Sequence, residues 1–123
     1  HAALALEYCL NAQDSTRRFT YQNTQKALIV STLSQSQEVR ERAQRALQRL
    51  MDYDAGSEIR LMDTLIAYIC ANYNISQTAR SLHIHRQSLS YRLEKIEQLT
   101  GMSLGSHEDL FLLEVYSRIY RSY

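Results

Sequence analysis

The sequence predicts an all-α protein: a helix-turn-helix bundle preceded by a long helix. Three observations predict it. Proline, which breaks helix interiors, is absent, and there are only 3 glycines among 123 residues. Apolar residues recur every three or four positions through most of the chain. Hydrophobic residues make up 45%, enough to build a core and too many for a disordered chain.

The elements follow in order. Residues 2–10 (AALALEYCL) read as a short apolar helix, and 17–22 (RRFTYQ) alternate weakly, as a short strand does. Such a strand has no partner in the chain, so it fits the tail of an upstream domain. Residues 24–33 read as a helix, and Ser36 is placed to cap the next one. From 38 to 53, Val39, Ala43, Ala46, Leu47, Leu50 and Met51 share a face, and Asp54-Ala55-Gly56 is the stop. Ile59, Met62, Leu65, Ile66, Ile69, Cys70 and Tyr73 form the stripe of a helix over 58–73. A short helix follows over 76–82 with Ser76 as its cap, then a tight connection at 83–85 and a longer helix over 86–100 ended by Gly101. Ser106 and Asp109 form a capping pair for a last helix over 107–121. These elements divide the chain into residues 1–35, the tail of an upstream domain with a linker helix, and residues 36–123, the helix-turn-helix domain.

The net charge of +1 neither demands nor excludes a nucleic-acid partner. Its distribution says more: residues 52–63 are mostly acidic, whereas 76–101 carry Arg80, Arg86, Arg92 and Lys95 with two histidines. Cys9 and Cys70 are widely spaced and are expected as reduced, buried thiols of a cytoplasmic protein. No apolar run reaches the roughly 20 residues that cross a bilayer. His83 and His85 lack further ligands at metal spacing, no catalytic constellation is recognisable, and neither a cofactor nor enzymatic activity is expected.

The segment 74–101 carries the functional signal. In its second helix Leu89, Leu93, Ile96 and Leu99 bury one stripe, while Arg86, Gln87, Ser90, Tyr91 and Glu94 form the opposite one, with Ser88 to the side and His85 as N-cap. A recognition helix needs this arrangement, because its first turns must offer donors and acceptors to base edges. His85, Arg86, Gln87, Ser88, Ser90 and Tyr91 are therefore the expected base contacts, and Ser76, Gln77, Thr78, Arg92 and Lys95 the expected phosphate contacts. The same spacing also suits a helical protein-interaction module in which the 86–100 helix docks a partner protein.

A resemblance separates the two readings. The stretch DTLIAYICANYNISQTARSLHIHRQSLSYRLEKIEQLTGMSL resembles the C-terminal domain of PucR/CdaR-type bacterial transcription regulators. The pattern is carried by Thr64, Leu65, Tyr68, Asn74, Ser76, Ala79, Leu82, Ile84, His85, Arg86, Leu89, Tyr91, Arg92, Leu93, Ile96, Thr100, Gly101 and Leu104. The upstream ALQRLMDYD is similar to a segment of the same family, and the helix-turn-helix itself also looks like that of Fis-type DNA-bending proteins. The usual Asn-Thr after His-Arg is Gln87-Ser88 here, which keeps the amide and hydroxyl but lengthens the amide's reach. The resemblance implies sequence-specific binding of double-stranded DNA and a small-molecule effector held by a missing upstream domain. A homodimer is expected, since one module this small reads few bases, with the helices at 24–53 or 107–121 as candidate interfaces.

Overall fold

The structure, a computed structural model, describes residues 17–121. These form six helices and, among the described residues, no strand: α1 (Arg17–Leu33), α2 (Gln37–Ala55), α3 (Leu61–Cys70), α4 (Ile75–Leu82), α5 (Arg86–Thr100) and α6 (His107–Arg121). The expected helix over 2–10 lies outside the described residues. The strand expected at 17–22 is instead the start of α1. Without a second strand to pair with, that backbone can satisfy its own N–H and C=O groups only by coiling.

Helix α2 is the spine. Ser36 caps it by accepting from the Val39 amide, and Ala43, Leu47, Leu50 and Asp54 point inward. Asp54 is a buried carboxylate whose two oxygens accept the amides of Leu61 at 2.7 Å and Met62 at 2.9 Å. These are among the first amides of α3, which lack intrahelical partners, and Arg60 at the cap position supplies no side-chain bond. A residue at the end of one helix thus starts the next.

Helix α3 is nearly all core: Leu61, Met62, Leu65 and Ile66 are buried, joined by Leu47, Leu50, Leu89, Leu93, Ile96 and Leu113. It stops at Cys70, not at Tyr73 as the stripe suggested, because Asn72 and Tyr73 both turn left-handed, at φ 53° and 64°. That conformation is uncommon for a bulky residue. Tyr73 is held there by an edge contact to the Tyr68 ring at 5.5 Å and by its phenol, which donates to Glu114 at 2.9 Å. Cys70 is half-buried and disulfide-bonded, which corrects the expectation of a reduced, buried thiol; Cys9 lies outside the described residues.

Helix α6 packs along α2, and α1 packs on α6 through a smaller cluster of Val30, Ala43 and Ile119 with Leu33, Val39 and Val115 beside them. At this edge Glu114 gathers three donors: Lys26 of α1 at 3.1 Å, Tyr73, and Arg118 at 3.1 Å. Burial pulls the Glu114 carboxyl up, but Lys26, Tyr73 and Arg118 outweigh it and leave it below its ordinary value. Burial and Glu114 together raise the Tyr73 phenol, so it stays a donor. Among the described residues, no helix is long and apolar enough to cross a membrane.

Candidate nucleic-acid interface

Helices α3, α4 and α5 pack against one another, with α4 and α5 joined by His83-Ile84-His85. Ala79, 4% exposed, lies in the core they share, where a larger side chain would force the helices apart. The turn closes as a helix C-terminus does. His83 turns left-handed at φ 56°, its amide donates to Arg80, and the Ile84 amide donates to the Ala79 carbonyl at 3.0 Å. Leu82 and Ile84 pack on the core from either side of the turn, as expected. Asn74, not Ser76, caps α4, its carboxamide oxygen accepting the Gln77 amide at 2.9 Å. Asparagine and serine are both good cap formers, so composition alone does not separate Asn74 from Ser76.

Helix α5 runs over the expected residues and ends at Gly101, φ 71°. Leu89, Leu93 and Ile96 are buried. His85, Arg86, Gln87, Ser88 and Ser90 are all exposed, and Tyr91 is 58% exposed. Within the described residues, none of these six side chains makes a hydrogen bond or ion pair. His85 takes the N-cap position without a side-chain cap bond, and the first turn holds no acidic residue. The unpaired amides at this end carry the positive pole of the helix and face outward beside Arg86.

The residues expected at phosphates divide. Ser76 and Gln77 are exposed at the start of α4. Thr78, expected at a phosphate, is instead fully buried, and its hydroxyl donates to the Asn74 carbonyl at 2.7 Å, so its side chain does not face a ligand. Arg92 donates to Thr64 of α3 at 3.3 Å, and the Lys95 ammonium sits 5.6 Å above the Tyr53 ring of α2. Both cations lean toward neighbouring helices and help hold α5 in place. His83 and His85 are exposed, and no group of three metal-ligating side chains occurs among the described residues.

This geometry has relatives. Residues 61–119 match the PucR C-terminal helix-turn-helix domain. The chain is 35% identical over 100 residues, 81% of its length, to the carbohydrate diacid regulator of Escherichia coli K12. It is 37% identical over 84 residues, 66% of its length, to the transcriptional activator PmfR of Paenarthrobacter nicotinovorans. It is 41% identical over 61 residues, 50% of its length, to the purine catabolism regulatory protein of Bacillus subtilis 168. The matched stretches span 25%, 17% and 12% of those three proteins. No solved structure matches. The likeness to the PucR/CdaR-type regulators is thus centred on residues 61–119, which hold α3 to α5 and most of α6 and match the PucR C-terminal helix-turn-helix domain.

Proposed function

We propose that this chain is the DNA-binding part of a transcription regulator and that α5 reads duplex DNA from the major groove. The observation that carries the reading is the outer face of α5: Arg86, Gln87, Ser88 and Ser90 are exposed and unpartnered at an uncapped helix N-terminus. Arg86 suits the two acceptors of guanine, and Gln87 suits the donor–acceptor pair of adenine. His85 and Tyr91 border them, Tyr91 with an exposed ring that can lie against a thymine methyl. Ser76 and Gln77, with the amides at the start of α4, suit a phosphate. Lys95 and Arg92 add positive charge from the flank.

The protein works as a homodimer, which doubles the number of bases read. Leu28, Ile29 and Phe111, exposed on α1 and α6, give the second copy an apolar surface away from α5. Residues 1–35 lead in from an upstream domain that binds a small effector. The regulators it resembles are several times the aligned length, which leaves room for such a domain.

Selection of bound duplexes from a random pool, repeated with Arg86→Ala, tests the reading. One enriched motif in the natural protein, with loss of preference at a single base position in the variant, is the expected result. Binding that shows no salt dependence, or no duplex binding at low salt, would instead favour a protein-docking role for the same helix.

A further inference from the structure

Helix α2 carries a feature that its role as a core spine does not explain. Arg42, Arg45 and Arg49 are spaced three and four residues apart and all are exposed. At that spacing they share one helix face, on a stripe about 10 Å long. Arg42 pairs with Glu38 at 3.3 Å. Arg45 and Arg49 make no side-chain hydrogen bond or ion pair within the described residues. The carboxylates around them are accounted for. Glu38 belongs to Arg42, Glu41 accepts from Gln37 at 3.0 Å, and Asp52 accepts from Gln48 at 2.8 Å. Glu41 and Asp52 are held by neutral amides and keep their charge, as does Glu94, exposed on α5, yet none of the three pairs with Arg45 or Arg49.

The position of the stripe gives it meaning. One turn beyond Arg49, Tyr53 lies beneath Lys95 of α5, and α2 and α5 pack directly. The inward face of α2 is Ala43, Leu47 and Leu50, so the arginines point out on the side that borders α5. The arginine face of α2 and the outer face of α5 are thus neighbouring parts of one surface. A strand of duplex carries a phosphate about every 3.4 Å along the axis, so a stripe of this length matches about three of them.

We infer that Arg45 and Arg49 grip the sugar-phosphate backbone beside the groove that α5 occupies, so that α2 is part of the DNA interface as well as of the core. The inference rests on the DNA-binding reading above. Two guanidinium groups held on a rigid helix would fix the register of α5 along the duplex and contribute affinity without sequence preference.

The test uses the whole chain and its selected duplex, with affinity measured by anisotropy across a salt series. Arg45→Ala with Arg49→Ala should leave the melting temperature and the preferred motif unchanged. The plot of log affinity against log salt should become shallower by about 1.8, or about 0.9 for each phosphate no longer neutralised. The Arg45→Lys, Arg49→Lys pair should recover the slope, since a phosphate accepts either cation. An unchanged slope in the alanine pair, or a loss that the lysine pair does not recover, overturns the inference while leaving α5 as reader. Absence of duplex binding by the natural protein overturns the DNA reading itself, and this inference with it.

Discussion

Two regions of this small bundle treat their polar side chains in opposite ways. On the outer face of α5, Arg86, Gln87, Ser88 and Ser90 are exposed and make no hydrogen bond or ion pair within the described chain. In the body of the bundle, Glu114 binds Lys26, Tyr73 and Arg118 at once, and Asp54 commits both oxygens to the amides of α3. Polar groups that hold the fold are satisfied internally, because leaving them unpaired when buried is costly. Groups kept for a partner are left in water, where being unpaired costs little. Substitutions in the first region should change binding and spare the fold; those in the second should do the reverse.

The largest effect should come from Asp54→Ala. It strands two inward-facing amides at the start of α3, and we expect a loss of about 2–4 kcal/mol in urea or thermal unfolding. Asp54→Asn should lose less, since one carbonyl oxygen can still accept. DNA affinity of the folded fraction should be unchanged. A variant that melts normally but fails to bind would erase the division between the two regions.

Arg86→Ala should show the mirror image. Removing one good base-reading side chain is worth about 1–3 kcal/mol of discrimination, or roughly tenfold to more than a hundredfold between the right and wrong base. The melting temperature should stay put or rise slightly, because a cation in the first turn opposes the helix dipole. Parallel melting and competition binding read both quantities. A clear drop in melting temperature would place Arg86 with the structural groups.

The same division decides what the sequence could say. The helices α2, α5 and α6 were legible, with Ser36 and Gly101 in their expected places, because stripes and caps are local patterns. The exposed reading face was legible for the same reason: in α5 the polar positions are those the apolar stripe leaves over. The cap of α4 was misassigned because Asn74 and Ser76 are both good cap formers, and only backbone geometry separates them. The strand read at 17–22 is the start of α1, because a weak alternation with no second strand beside it does not exclude a helix that bonds its own backbone groups. Thr78 looked like a phosphate ligand because burial of a threonine at a helix–helix contact leaves no mark in composition. Asp54 and Glu114 were invisible as anchors. Apart from Arg118, one helical turn from Glu114, their partners lie 7 to 88 residues away, and no period connects them.

Glu114 gives the finest test of the comparison, because its effect should depend on pH. Its carboxyl lies below the ordinary value of 4.5: burial works against the charged form, and Lys26, Tyr73 and Arg118 favour it more strongly. A carboxylate whose folded value is lowered stabilises the fold above its unfolded value, and that stabilisation fades as pH falls through the folded value. Lys26 is 54% exposed, so solvent screens its share, and most of the benefit rests on Tyr73 and Arg118. Glu114→Gln should therefore cost about 1 kcal/mol at neutral pH. Urea unfolding at neutral pH and at successive values below 4.5 should show the natural protein losing this margin in acid while the variant, which has no proton to take up, does not. The two curves should converge as pH falls. If they stay parallel into strong acid, Glu114 contributes through shape alone, and the three donors around it belong with the solvated charges of the surface.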